Sequence, residues 1–175
     1  MHLSSVFIGA LTALISVVHA ESVVAKRADL GNAFVFIYCN FTVFLDVEAG
    51  GVSTRRTLNG RNHDYYHEPY GGGSGDGVSL TLSHTEGRDS SNSRTTFRYK
   101  LSDGNSTVGY SLGNSGGNPF EGHKLTLKPS DDRCPRIEWP DGIPTGVSSG
   151  SCGSGANLIL TMCPLERPRQ EFEDE

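Results

Sequence analysis

Apolar positions along this chain alternate with polar ones in short bursts, and Gly, Asp, Asn and Ser separate the bursts. That is the pattern of strands joined by turns. The strongest burst is residues 32–47, NAFVFIYCNFTVFLDV. In its first half Ala33, Val35, Ile37 and Cys39 fall on one side, and Phe34, Phe36 and Tyr38 on the other. Both sides are apolar, which predicts a strand covered on both faces. At Asn40 the pattern resets, because Val43, Leu45 and Val47 alternate against Thr42 and Asp46. The stretch therefore predicts an opening hairpin that turns at Asn40, with Cys39 at the turn.

Residues 52–59 carry Arg55, Arg56 and Thr57 and predict an exposed or edge strand. Residues 63–70, HDYYHEPY, are aromatic and polar, and a glycine loop at 71–77 follows them. Clean alternation returns at 78–83 (VSLTLS), 95–101 (TTFRYKL) and 107–112, then briefly at 124–128 (KLTLK). Residues 85–94 and 113–118 read as loops. Residues 130–150 are rich in Pro, Gly and Asp and predict an irregular excursion held by a disulfide. The closing strand is 157–162, NLILTM, which runs into Cys163. No segment sustains a 3.6-residue period and none repeats. The expected fold class is an all-β sandwich, loop-rich, with few or no helices.

Composition sharpens this picture. The 175 residues contain 22 Gly and 20% charged residues, which is a loop-rich globular chain of one domain. The net charge is −5 and no basic stripe exists, so nucleic acid is not an expected partner. Residues 3–18 form an apolar block ending in Val18-His19-Ala20, a signal-peptide core with a small-residue cleavage site. The block is too short, and lacks the basic flank, for a membrane span. The expected organisation is therefore a signal peptide at 1–20, a pro-segment or flexible N-terminus at 21–30, a domain at 31–164 and a disordered acidic tail at 165–175. Lys26-Arg27 reads either as a dibasic cleavage site, with the cut after Arg27, or as two exposed charges. A leader implies an oxidising destination, and four cysteines fit two bridges with three possible pairings.

Candidate chemistry is sparse. Asn40-Phe-Thr42 and Asn105-Ser-Thr107 are glycosylation sequons at predicted turns, so Asn40 and Asn105 are expected acceptors. His63 and His67 have metal spacing only on a helix, which Tyr65, Tyr66 and Pro69 disfavour, so no metal is expected. The glycine loop lacks the Lys-Ser/Thr ending of a phosphate cradle and precedes a strand. No Gly-x-Ser-x-Gly elbow and no Cys-x-x-Cys pair occurs, and no cofactor is expected. Paired carboxylates for glycoside hydrolysis would have to come from Asp46, Glu68, Asp103, Glu121, Glu138 and Asp141, which are scattered. Trp139, Tyr65, Tyr66 and Tyr70 are able to stack on sugar rings, and Trp139 equally to cover a nearby disulfide.

Seven pieces in order carry a family resemblance. They begin with Gly31-Asn-Ala and Tyr38-Cys39-Asn40-Phe41, then His67-Glu68-Pro69-Tyr70, Gly77-Val78-Ser79-Leu80 and Phe97-x-Tyr99-x-Leu101. Tyr110-x-Leu112 with Gly117-Asn118-Pro119-Phe120 follows, then Cys134-x-x-Ile137-x-Trp139-Pro140-x-Gly142, and Asn157-Leu-Ile-Leu-x-x-Cys163-Pro164. The chain resembles the small fungal antigenic thaumatin-like family, also called CetA-like or Bys-type. The resemblance implies a thaumatin-like β-sandwich with bridges Cys39–Cys163 and Cys134–Cys152. It also implies an exported monomer working outside the cell or at the wall, in wall remodelling, spore germination or host contact. Larger members line a cleft with acids linked to β-glucan binding or slow cleavage. Here those positions read Arg98 and Ser111, so the resemblance implies no catalytic residue. The expected function is non-enzymatic binding of wall β-glucan or a host surface protein through loops at 65–77 and 113–120, including Tyr65, Tyr66, Tyr70, Asn118 and Phe120. A weak β-glucan hydrolase and an effector or adhesin on a host receptor are the alternatives.

Overall fold

A computed structural model describes residues 30–71, 77–86 and 92–164. The expected leader, Lys26-Arg27, the loop at 72–76 and the acidic tail lie outside the described residues. The strands are β1 (Asn32–Ile37), β2 (Thr42–Ala49), β3 (Val52–Asn59), β4 (Tyr65–Pro69), β5 (Val78–Ser83) and β6 (Arg94–Leu101). They continue as β7 (Thr107–Ser115), β8 (Leu125–Pro129), β9 (Ile137–Trp139), β10 (Ser149–Gly153) and β11 (Leu158–Met162). Single 3-10 turns at Gly60–Asn62 and Asp103–Asn105 are the helical elements among the described residues. None is long and apolar enough to cross a membrane.

Two sheets pack face to face. One has the order β4-β1-β11-β8-β9, and the other β10-β7-β6-β5-β2-β3. The first sheet contributes Val35, Ile37, Leu125, Leu127, Ile137, Trp139, Leu158 and Leu160 to the core. The second contributes Val43, Leu45, Leu80, Leu82, Phe97, Val108 and Leu112. Inward residues alternate with outward ones along nearly every strand, as a sandwich requires. The all-β sandwich with two disulfides is thus the fold that alternation and resemblance pointed to.

Residues 32–47 differ from the expectation in two ways. They do not form a hairpin. β1 lies in one sheet, parallel to β11 and antiparallel to β4, while β2 lies in the other between β3 and β5. Each half finds two ladder partners that way, and their apolar rows both face the core. The second difference concerns cover. Ala33, Val35 and Ile37 are buried, but Phe34 and Phe36 are only half-buried and Tyr38 is exposed. The outward rings of β1 lie against those of β4, because antiparallel pairing sets Phe34 opposite His67 and Phe36 opposite Tyr65.

Other segments hold more order than their composition suggests. β4 forms at 65–69, and as an edge strand it tolerates Pro69. The 130–150 excursion contains β9 and the start of β10, and β7 runs on to Ser115. β3 is the edge expected from its arginines; Leu58 is its buried apolar residue.

The crossover from β1 to β2 is fixed by close backbone packing. The Gly60 amide donates to the Phe41 carbonyl at 3.1 Å. A Cβ at Gly60 would lie 2.2 Å from the Cys39 carbonyl oxygen and 2.8 Å from that of Phe41. Neither obstacle is a flexible side chain. Gly60→Ala is therefore expected to destabilise by about 1–3 kcal/mol through overpacking, read as a lower urea midpoint with an unchanged slope.

Candidate functional site

The six-stranded sheet presents a polar outer face. In-register pairing lines up Ser149, Ser111, Arg98, Ser79, Glu48 and Ser53 across its six strands. One pleat further along, Gly109 pairs with Lys100. Across this region runs a groove of about 710 Å³, lined among others by Glu48, Ser79, Arg98, Lys100, Gly109 and Ser111. The two positions where the family resemblance expected acids, 98 and 111, are therefore direct neighbours and line one groove. Register produces this adjacency: Arg98 and Ser111 are Cα partners of β6 and β7.

The floor is shaped by glycine. Gly in a strand interior weakens the strand and often marks close approach of a ligand or another backbone. At Gly150 packing explains it, since a Cβ would fall 2.5 Å from the Tyr110 hydroxyl oxygen. At Gly109 packing does not, because the nearest atom to a Cβ would be the Lys100 carbonyl oxygen at 3.9 Å. The missing side chain there leaves the floor open.

Electrostatically the groove opposes the chain. Arg98 and Lys100 are exposed, and neither forms an ion pair among the described residues. Glu48 is the one carboxylate in the described lining. Two cations against one anion leave a net of +1, on a chain of net −5.

None of the six carboxylates singled out in the sequence lines the groove. Asp46 holds Arg55 in a two-pronged pair at 2.7 and 2.8 Å. Glu138 sits 2.7 Å from the Lys124 ammonium, which keeps it below the usual carboxylate range. Glu68 accepts from the Tyr99 hydroxyl at 2.7 Å and from the Tyr66 hydroxyl at 2.9 Å. Burial, reinforced by those bonds, pushes both tyrosines above their ordinary range. Glu121 and Asp141 are exposed, and Asp103 sits on the second 3-10 turn. Glu48 is the carboxylate that sequence reasoning missed; its outward alternation with Val47 was the available signal.

The loop residues expected to hold a ligand separate. Tyr70 is buried and donates its hydroxyl to the Ala156 carbonyl at 2.8 Å. Phe120 is fully buried. Asn118 is half-buried and accepts from the Asn114 side chain at 2.9 Å. Tyr65 is 55% exposed. It belongs to an aromatic face on the other side of the sandwich, where it stacks on Phe36 and His67 at 5.6 and 5.9 Å. Tyr38 and His63 extend that face, their rings 5.4 Å apart. The expected acceptors Asn40 and Asn105 are both exposed.

Cys39 is bonded to Cys163, and Cys134 to Cys152. The one cluster of metal-ligand types among the described residues is Asp131 with Cys134 and Cys152, whose sulfurs are already bonded to each other.

Comparison with known proteins bears on the whole chain. Residues 20–164 match the sequence profile of the Blastomyces yeast-phase-specific protein. No curated protein sequence matches. Among solved structures, the protein elicitor MoHrip2 from Magnaporthe oryzae superposes with a TM-score of 0.63 at 21% identity, over 77% of this chain and 99% of that one. The thaumatin-like xylanase inhibitor TLXI gives a TM-score of 0.46 at 11% identity, over 75% of this chain and 99% of that one.

Proposed function

The chain belongs to the Blastomyces yeast-phase-specific protein family, and from that premise we propose that it is an exported glycoprotein that binds a polysaccharide without cleaving it. It acts outside the cell, at the wall or in contact with a host. The groove carries this reading. Glycoside hydrolysis by the usual route needs two carboxyl groups roughly 5–9.5 Å apart, one of them a proton donor. The described groove lining holds Glu48, with Arg98 and Ser111 two and three strands away. Among the described lining residues a single carboxylate, two strands from the guanidinium, is able to orient a sugar hydroxyl but has no partner there for acid–base chemistry. Two disulfides and exposed sequons at Asn40 and Asn105 support an oxidising, glycosylating route.

The purified protein, incubated with a panel of insoluble and soluble glycans that includes neutral β-glucan and polygalacturonate, is expected to bind at least one of them. It is expected to release no reducing ends above the blank. Release that disappears in Glu48→Gln would instead establish a hydrolase. The aromatic face around Tyr65 supports a second reading, a host surface protein as partner. Glycan-independent binding to host cells that Tyr65→Ala abolishes would establish it.

A further inference from the structure

We propose that the groove selects a carboxylated polysaccharide, a polyuronate, over a neutral glucan. This rests on the reading that the groove binds glycan, and it names which kind. Arg98 and Lys100 stand on the same face of β6, one pleat apart, roughly 7 Å along the strand. The guanidinium is a planar fork matched to a carboxylate, and the ammonium is a point charge that takes a second one. Two acidic groups on successive parts of one polymer suit that pair better than a single small anion.

The surroundings fit a sugar acid. Ser79 and Ser111 flank Arg98 on the neighbouring strands, each roughly 5 Å away, and offer hydroxyls to ring hydroxyls. Gly109, beside Lys100, lets a ring lie against the backbone. Glu48 is two strands from Arg98, roughly 10 Å between backbones, forms no ion pair with it, and is placed to repel a densely charged polymer at that end. A net of +1 over the described lining therefore suits a weak acid carried once per ring, rather than a heavily sulfated chain. A neutral glucan would cover two cations and return no charge to either, which costs binding energy.

The test uses the intact chain and four probes: polygalacturonate, the same polymer fully methyl-esterified, a soluble neutral β-glucan and dextran sulfate. Esterification removes the charge and keeps the ring, so it isolates the carboxylate. Polygalacturonate is expected to bind at least about tenfold more tightly than its ester, the range of a charge-assisted hydrogen bond. Its affinity should fall steadily with added salt. Arg98→Ser with Lys100→Ser, both at exposed positions, should erase the difference between acid and ester while leaving the circular dichroism unchanged. Arg98→Lys should recover part of it. Equal binding of acid and ester overturns the proposal yet leaves glycan binding standing. Dextran sulfate binding as tightly as polygalacturonate also overturns it, because the groove would then be collecting charge alone. If none of the glycans binds, the broader reading falls first.

Discussion

Replacing Cys39 and Cys163 together is expected to remove about 5 kcal/mol of stability, the chain-entropy value for a loop of this length. The bonded residues are 124 apart in sequence, so the bridge closes nearly the whole described domain into one loop. Parallel pairing of β1 with β11 makes this possible. Register sets Ile37 beside Met162, both strands run the same way, and the next residues leave the sheet side by side. The Tyr38 amide still donates to the Met162 carbonyl at 3.0 Å, one step before the sulfur atoms meet. The Cα atoms of the two cysteines are 5.0 Å apart, inside the usual range. Cys134 and Cys152 are 18 apart, and the same reasoning gives that bridge about 3 kcal/mol. A domain of this size has about 5–15 kcal/mol in total, so loss of the long bridge brings it near the threshold of folding. Urea titration of the two double-alanine variants measures both. Alanine is the better replacement than serine, since Cys39 is buried and a hydroxyl there would add its own penalty. The expected ordering is that the long-loop variant loses more, by about 2 kcal/mol. An equal or reversed ordering would mean that closing the terminal strands contributes little beyond their backbone ladder.

How much of this was legible in the chain depends on the range of the interaction. β5, β6, β7 and β11 were readable because alternation is local: one residue in, the next out. The partition of strands into sheets was not, since β1 and β2 are consecutive, similarly apolar and separated by a turn signal, yet pair with different sheets. Nothing within residues 32–47 encodes that β11, more than a hundred residues on, is the better partner. β4 was obscured by Pro69 and by outward aromatics that imitate a buried run. The groove follows the same logic. Arg98 and Ser111 were marked individually by the resemblance, but their contact is a product of register between β6 and β7. The open floor at Gly109 is invisible in a chain with 22 glycines, because only the surroundings show which of them packing requires. Tyr70 and Phe120 failed as surface residues for a related reason. Aromatic side chains beside glycine-rich turns serve equally as loop contacts and as core plugs, and here both plug the core.

Alkali is expected to unfold the sandwich well before it attacks the peptide chain, and the cause is buried tyrosine. Tyr70 and Tyr99 are almost fully buried, with rings 5.2 Å apart. Burial raises both above the ordinary range, and for Tyr99 the hydrogen bond to Glu68 and the charge of that carboxylate add to it. In the unfolded chain each ionises near pH 10. Below that pH both states hold the proton, and the contribution of these groups to stability is fully present. Above it the unfolded chain gives up protons that the folded one keeps, so the unfolded state binds fewer and stability falls as pH rises. Each such tyrosine removes about 1.4 kcal/mol per pH unit, hence about 3 kcal/mol per unit for the pair. Tyr66, half-buried on the other oxygen of Glu68, adds in the same direction. Against a typical total of about 5–15 kcal/mol, a cooperative transition is expected around pH 12. Tyrosinate absorbance and circular dichroism, followed together, test it. Part of the absorbance change should arrive with the loss of sheet signal and not before it. Tyr99→Phe should flatten the pH slope by about 1.4 kcal/mol per unit, whatever it does to stability at neutral pH. A smooth titration of all six tyrosines near pH 10, with the sheets intact, would show that Glu68 and the core do not hold these hydroxyls as described.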